Sequence, residues 1–199
     1  MDYSIEAEEK LNGYSVICGI DEAGRGPLAG AVYAAAVILP DGFEHPLIND
    51  SKKLSEKKRE ELFDVICSNA VSYCIGTASE KEIDDINILR ATFLAMKRAV
   101  DGLSPRPGLA LVDGNSLPGT GIAEKCIIKG DSKCISIASA SILAKVSRDR
   151  YMKKLAEDYP EYQFEKHKGY GTQLHYDMIK KYGISPVHRR SFLKNLDLK

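Results

Sequence analysis

Four carboxylates lie at the ends of predicted strands or starts of predicted helices, each beside glycine: Asp21, Glu22, Asp113 and Asp131. If they converge, they form an all-oxygen site with excess negative charge, which suits Mg²⁺ or Mn²⁺ rather than zinc. Two such ions roughly 3.5–4 Å apart activate a water on one side of a phosphodiester and stabilise the leaving oxygen on the other. The constellation therefore predicts hydrolysis of nucleic acid.

Most of the candidate functional residues are concentrated in residues 17–30, where an apolar run is followed by two adjacent acids and then by a glycine-rich loop. We expect the first strand to span residues 14–20, so that Asp21 and Glu22 sit at its tip. Gly24 and Gly26 free the backbone to turn tightly and to approach another molecule. Arg25 between them offers a planar cationic fork suited to phosphate oxygens.

Each of these features has a competing interpretation. The loop glycines approach a dinucleotide fingerprint, but that motif needs a helix at the glycines and an acid about 20 residues later. Residues 31–39 instead predict a second strand, and no suitably placed acid follows. A hairpin loop with solvated acids remains open, as do a turn-forming role for Asp113 and a helix-capping role for Asp131.

The hydrophobic pattern predicts a mixed sheet flanked by helices. We expect strands over residues 14–20, 31–39, 71–77, 109–112 and 126–128, the first two being antiparallel. Helices are predicted over residues 55–69, after Ser79, from Asn87 to 100, in a long segment after residue 133, over 172–182 and at the end of the chain, with a short helix or loose tail over residues 1–12.

Two later segments carry further candidates for substrate binding. On the long helix, Ser141, Lys145 and Arg148 are spaced to present one hydroxyl and two cations together. After it, Lys168 and Tyr170 lie in a loop in which an aromatic stands between two glycines, a pattern suited to laying a ring against a sugar or base. Lys52 could reach a phosphate or could equally be a solvated surface residue, and the histidines have no metal-site spacing.

Charge is unevenly distributed although the net charge is zero. Residues 125–199 carry 16 Lys and Arg against 8 Asp and Glu, whereas residues 1–124 carry 12 against 20. This asymmetry predicts a basic carboxy-terminal surface for a polyanion beside an acidic region that attracts metal. We expect one domain over residues 1–199, in which about 150–199 form a basic helical substrate-binding region.

Cellular context is indicated by the cysteines and the amino terminus. Five cysteines without a CxxC pair are typical of reduced core thiols and favour the cytoplasm. No secretory signal or membrane-spanning run is evident. A monomer is expected, since no apolar stripe is left unexplained.

Taken together, the motifs resemble bacterial ribonuclease HII over about residues 16–192. The resemblance is carried by seven stretches: 19–30, Asp50-Ser51-Lys52-Lys53-Leu54, Val112-Asp113-Gly114, Lys129-Gly130-Asp131, Ala138-Ser139 through Ala144-Lys145, Arg148-Asp149 and Lys168-Gly169-Tyr170-Gly171-Thr172. It implies an α/β fold, a ribonuclease H-like mixed sheet flanked by helices with a carboxy-terminal helical region.

The resemblance also implies roles for individual residues. Asp21, Glu22, Asp113 and Asp131 are implied as the catalytic acids, which bind Mn²⁺ or Mg²⁺, two ions per site with substrate. The Gly24-Arg25-Gly26 backbone is implied to read the ribose 2′-hydroxyl, and Tyr170 to pack on the sugar at an RNA–DNA junction. Lys52, Lys145 and Lys168 match positions that contact phosphate or assist the site.

The implied substrates are RNA/DNA hybrids and DNA containing single ribonucleotides, cut 5′ of the ribonucleotide to leave a 3′-hydroxyl and a 5′-phosphate. A backbone placed against the sugar can sense the 2′-hydroxyl where side chains that read bases cannot. A non-catalytic nucleic-acid-binding module, whose acids hold one structural cation, is the alternative from another class. A nicotinamide-dependent dehydrogenase is a weaker one.

Overall fold

The computed structural model describes residues 2–48, 51 and 54–194. Five strands form one mixed sheet in the order β3-β2-β1-β4-β5. They span Ile17–Ala23 (β1), Val32–Ile38 (β2), Ser72–Ala78 (β3), Leu109–Asp113 (β4) and Ala123–Ile127 (β5). β2 pairs antiparallel with β1 and β3, whereas β4 pairs parallel with β1 and β5. The predicted α/β fold with a mixed sheet is confirmed.

Helices cover both faces of this sheet. They span Ser4–Leu11 (α1), Glu56–Asn69 (α2), Glu80–Ile86 (α3), Ile88–Asp101 (α4), Ile135–Asp158 (α5), Phe164–His167 (α6) and Gln173–Tyr182 (α7). α4 packs against β2 and β3 on one face, while α5 packs against β1 and β2 on the other, with α2 packed against α5. Each face buries its own apolar cluster.

Local sequence signals start several of these helices where they were predicted. The hydroxyl of Ser55 accepts from the N–H of Lys58, and Asn87 accepts from the N–H of Arg90. Ser79 and Glu82 form a reciprocal capping box before α3. These caps satisfy backbone donors that a helix start otherwise leaves unpaired.

Close contact between β1 and α5 depends on Gly19. A Cβ at this position would lie 2.2 Å from the backbone carbon of Ser136, so any larger residue would push the helix away. Small residues on α5 such as Ala138, Ala140 and Ala144 are fully buried beside it. The helix is therefore held near enough to the strand to contact its last residues.

Some predicted boundaries are wrong. β1 does not end at residue 20 but continues through Ala23, because Asp21 and Glu22 still pair with Ala35 and Ala34 of β2. β5 begins at Ala123 rather than residue 126, since it continues the parallel ladder beside β4. At the carboxy terminus the chain forms a 3₁₀ turn, Arg190–Phe192, and residues beyond 194 lie outside the described part.

The glycine-rich loop leads from β1 into β2 and not into a helix. A dinucleotide fingerprint places the pyrophosphate at a helix amino terminus, which this connection lacks. The dinucleotide-binding interpretation is therefore wrong. Within the described residues, no helix is long and apolar enough to cross a membrane.

Candidate active site

The two adjacent acids lie near the carboxy end of the central strand β1. Successive side chains of a strand point to opposite faces. Asp21 faces α5 and is only 5% exposed, whereas half-buried Glu22 borders a groove beside Phe93 of α4 and Asp113. The two carboxylates therefore reach the strand end from opposite sides of the sheet.

Hydroxyl groups hold Asp21 from the α5 side. Its Oδ1 accepts from the N–H of Glu22 at 2.7 Å, and its carboxyl also bonds the hydroxyl of Ser141. The Oγ of Ser141 lies 2.9 Å from the Oγ of Ser51, and Arg59 donates to the Ser51 carbonyl oxygen at 3.1 Å. Asp21 is thus oriented by a buried chain that begins on α2.

The pKa of Asp21 is raised well above its ordinary value. Burial is the largest cause, followed by the negative charges of Glu22 and Asp113. The hydrogen bonds from Ser141 and from the Glu22 N–H oppose this rise and are smaller. The carboxylates are therefore close enough to repel one another, which is the electrostatic condition that a divalent cation relieves.

Asp113 ends β4 and ties this strand to the turn that precedes α5. Its Oδ1 accepts from the N–H of Gly130 at 2.7 Å. The carboxylate thus reaches across to a distant turn and does not act as a local turn former.

Asp131 follows Gly130 in a 3₁₀ turn and is 7% exposed. It is not the cap of α5: Cys134 is the N-cap residue, and the carboxylate of Glu6 accepts from the Ser136 N–H at 2.8 Å. The helix-capping interpretation of Asp131 is therefore wrong. The turn places Asp131 next to the glycine that binds Asp113.

The donor set fits a hard divalent cation, since its carboxylates supply only oxygen ligands and carry excess charge. Within residues 2–48, 51 and 54–194, no three His, Cys, Asp or Glu side chains are arranged closely enough to hold a metal ion. Glu22 and Asp113 lie close enough to Asp21 for their charges to raise its pKa, and Asp131 lies on the turn that contacts Asp113. Convergence of all four on metal stays a prediction.

The glycine loop after β1 requires glycine at position 24. Gly24 has φ +97°, and a Cβ there would lie 2.0 Å from the Nε of Arg148. Arg25 projects into solvent with its guanidinium 3.4 Å from Glu22, and Gly26 is exposed. The loop therefore presents its backbone outward while a buried arginine lies behind it.

The prediction that Ser141, Lys145 and Arg148 present one hydroxyl and two cations together is wrong, because Arg148 is buried under the glycine loop. The side chain is 1% exposed and donates to the carbonyl oxygens of Ala29, Ala31 and Lys168. Lys145 instead pairs with Asp149 at 2.7 Å. The helical spacing was right, but it did not reveal that the loop folds over Arg148.

Tyr170 stands beside the glycine loop. A Cβ on Gly26 would lie 3.8 Å from the Cε1 of Tyr170, and the Cζ of Arg148 is 5.9 Å from the ring centroid. The N–H of Leu28 donates to the Gly169 carbonyl oxygen at 2.8 Å, which joins the two loops. The ring is 43% exposed and so remains available to a ligand at the loop.

The remaining basic candidates differ in their surroundings. Lys145 is half-buried beside Asp149, and the Nζ of Lys168 donates to the Glu165 carbonyl oxygen at 2.6 Å. Lys52 lies outside the described residues. Phosphate contact by these lysines stays a prediction.

Sequence reasoning missed Arg189, which is fully buried behind the same loop. It donates to the carbonyl oxygens of Gly24, Arg25 and Gly30. Burial, and then the neighbouring Arg148, lower its pKa to about 9. Because it lies far from residue 24 in the sequence, no local spacing signalled this contact.

Three of the four histidines form a buried cluster beside the Tyr170 loop. His167, His175 and His188 are buried together, and the Nε2 atoms of the last two are 3.0 Å apart. All five cysteines are free.

Comparison with known proteins places these motifs in context. The family model for ribonuclease HII matches residues 18–195. A ribonuclease HII from Caldicellulosiruptor bescii is 54% identical over 193 residues, covering 96% of this chain and 94% of the relative. One from Desulfitobacterium hafniense strain DCB-2 is 58% identical over 188 residues, covering 93% and 72%. The crystal structure of ribonuclease H2 from Pyrococcus horikoshii superposes with a TM-score of 0.73 at 26% identity, covering 88% of this chain and 93% of that one.

Proposed function

The chain belongs to the ribonuclease HII family, and from that premise we propose that it cuts duplex DNA on the 5′ side of single embedded ribonucleotides as well as the RNA strand of RNA/DNA hybrids. As a family member it is a ribonuclease H, an endonuclease that acts on nucleic acid. The proposed products carry a 3′-hydroxyl and a 5′-phosphate.

The observation that carries this proposal is the position of the acids relative to the glycine loop. Only Ala23 separates Asp21 and Glu22 from Gly24-Arg25-Gly26, and Tyr170 lies against Gly26. A ribose bound between the loop and the ring would place its neighbouring phosphate near the carboxylates. The residues that recognise the sugar would then lie next in sequence to the acids that support hydrolysis, so binding of a ribose would position the phosphate that is cut.

Recognition of the 2′-hydroxyl is assigned to the loop backbone. This hydroxyl is all that separates a lone ribonucleotide from surrounding DNA, and it can both donate and accept a hydrogen bond. Gly26 has no side chain to block the approach of a sugar, and the Tyr170 ring gives that sugar an apolar face. A deoxyribose would leave the loop donors unpaired, which disfavours its binding.

The acids are assigned as metal ligands. Asp21, Glu22, Asp113 and Asp131 would hold Mg²⁺ or Mn²⁺, two ions when substrate is bound. Such ions activate a water and stabilise charge on the leaving oxygen. Ser141 and the Glu22 N–H orient Asp21, and the Gly130 N–H orients Asp113, so the chain fixes the direction of two ligands in advance.

Phosphates are assigned to the cations around the site. Arg25 is exposed beside Glu22, and Lys145, Lys168 and Lys52 are the further candidates. The basic excess of residues 125–199 supports a substrate-binding role for about 150–199 within a single domain. A monomeric state and a cytoplasmic location stay predictions.

A nuclease assay with mapped products tests the proposal. A labelled DNA duplex with one ribonucleotide is incubated with Mg²⁺, Mn²⁺ or chelator, beside an all-DNA duplex and an RNA/DNA hybrid. We expect one metal-dependent cut 5′ of the ribonucleotide, none in the all-DNA duplex, and several in the hybrid. Metal-dependent binding without any product would instead favour the non-catalytic module.

A further inference from the structure

The segment of residues 185–189 lies against the glycine loop and joins it to the loop that carries Tyr170. The N–H of Gly30 donates to the Val187 carbonyl oxygen at 2.9 Å, and the N–H of Arg189 donates to the Leu28 carbonyl oxygen at 2.8 Å. Ala29 and His188 form an isolated antiparallel bridge. Residues 187–189 therefore run alongside residues 28–30 as a short strap, after a turn in which the His188 N–H donates to the Ser185 carbonyl oxygen at 3.1 Å.

Arg189 holds the glycine loop through its carbonyl oxygens. It donates to Gly24 at 2.7 Å, to Arg25 at 3.0 Å and to Gly30 at 2.8 and 2.6 Å. An apolar side chain would fill the same volume with a smaller desolvation cost. The guanidinium adds a rigid fork of five donors, which can fix several carbonyl groups at once.

This fixation determines where the loop N–H groups point. In a planar trans peptide the C=O and the following N–H point in opposite directions. Because the carbonyls of Gly24 and Arg25 point toward Arg189, the N–H groups of Arg25 and Gly26 point away from it. Arg189 thus turns two successive donors outward, as readout of a 2′-hydroxyl requires.

His188 reaches the Tyr170 loop through a second histidine. Its Nδ1 accepts from the Ser185 N–H at 2.9 Å, so its proton is on Nε2. This Nε2 is 3.0 Å from the Nε2 of His175, which must therefore accept. The Nδ1 of His175 then carries a proton and donates it to the Tyr170 carbonyl oxygen at 3.0 Å.

We propose that His188 and Arg189 are positioning residues that together set the spacing between the glycine loop and Tyr170, and thereby the preference for a single embedded ribonucleotide. Adjacent side chains of an extended segment point to opposite sides, so one strap can hold both loops. The inference rests on the proposed function. A lone ribonucleotide can bind in only one position, in which its sugar must fit both the glycine loop and the Tyr170 ring. A long hybrid offers a ribose at every position, so its cleavage should depend less on the spacing between the two loops.

The test measures kcat/KM on a duplex with one ribonucleotide and on a long RNA/DNA hybrid, for Arg189→Lys, His188→Ala and His188→Gln. The ratio of the two values does not depend on how much enzyme is folded. We expect Arg189→Lys and His188→Ala to lower this ratio about tenfold or more. His188→Gln keeps a donor at the position of Nε2 and should restore most of it.

Arg98→Lys is the matched control, since Arg98 also donates to a carbonyl oxygen, that of Thr77, but pairs with Glu82 and not with the loop. An unchanged ratio in both Arg189→Lys and His188→Ala, with both activities falling in parallel, would overturn the inference. If Arg189→Lys does not fold, the His188 pair decides alone. A wild-type enzyme that cuts neither substrate would instead overturn the proposed function.

Discussion

Gly26 and Tyr170 lie side by side although they come from opposite ends of the chain, and a Cβ on Gly26 would be 3.8 Å from the Cε1 of Tyr170. One belongs to the loop that follows Asp21 and Glu22, and the other to a loop after the long helix α5. In the proposed complex a sugar would lie between them, and its phosphate would lie near Asp21.

Removing the Tyr170 ring should abolish the preference for single ribonucleotides. Tyr170→Ala takes away the face on which we propose that the sugar packs, and we expect the cleavage ratio of single-ribonucleotide duplex to hybrid to fall at least tenfold. Tyr170→Phe keeps the ring and should keep the ratio. Tyr73→Ala, at a ring that is 41% exposed against 43% for Tyr170, is the control. An unchanged ratio in Tyr170→Ala would contradict this role.

A methyl group at position 24 should disturb the loop and the buried arginine behind it. In Gly24→Ala the Cβ collides with Arg148 and the φ of +97° is strained, so we expect a loss of roughly 2–4 kcal/mol in unfolding free energy and of most cleavage. Gly42→Ala also has positive φ, +68°, but open space around it. It should lose about 1 kcal/mol and no activity. Denaturant titrations that show equal losses would contradict the collision.

Asp21→Asn should separate catalysis from stability. The raised pKa means that the folded protein holds the Asp21 proton more tightly than the unfolded chain does, so ionisation at pH 7 destabilises the fold. The amide removes this charge, and we expect a higher Tm, retained duplex binding and no cleavage. Asp64→Asn, on the exposed side of α2, should leave the Tm, duplex binding and cleavage unchanged. Retained cleavage would remove Asp21 from the site.

The buried histidine pair should make stability depend on pH. Burial, and then the neighbouring imidazole, lower the pKa of His175 and of His188 to about 4. Below pH 6.5 these two imidazoles therefore become protonated in the unfolded chain while they remain neutral in the folded protein. Stability should fall between pH 6.5 and about 4, by roughly 2–3 kcal/mol for one such ring.

Comparison with His188→Gln isolates this contribution from that of the carboxylates. Urea unfolding at pH 7 and pH 5 should show a smaller difference for the variant than for the wild type. Equal differences would mean that the pair does not titrate as its burial implies.

Local sequence patterns predicted most of the elements, since caps such as Ser55, Ser79 and Asn87 act within a few residues. The family resemblance is confirmed by the comparisons. The carboxy-terminal boundary of β1 was predicted wrongly. Asp21 and Glu22 follow an apolar run, which suggested that the strand ends before them, yet both acids pair with alanines of β2. A ladder partner, and not the residue's own polarity, decides where a strand ends.

The contacts that hold the glycine loop in place could not be predicted from local sequence patterns. Helical periodicity placed Arg148 on α5, but only the folded chain shows that the glycine loop covers it. Arg189 contacts carbonyl oxygens, which every residue has, so no residue type marks its partners. Contacts from a side chain to distant backbone leave no pattern in a single sequence.

The most direct test is cleavage of one duplex in which a single position carries ribose, 2′-O-methylribose or deoxyribose. All three have the same base and phosphates, so they differ only in what the Gly24-Arg25-Gly26 backbone would sense. We predict a single metal-dependent cut 5′ of the ribose and no cut at the other two. Equal cutting at the deoxyribose would contradict readout of the 2′-hydroxyl beside the carboxylates.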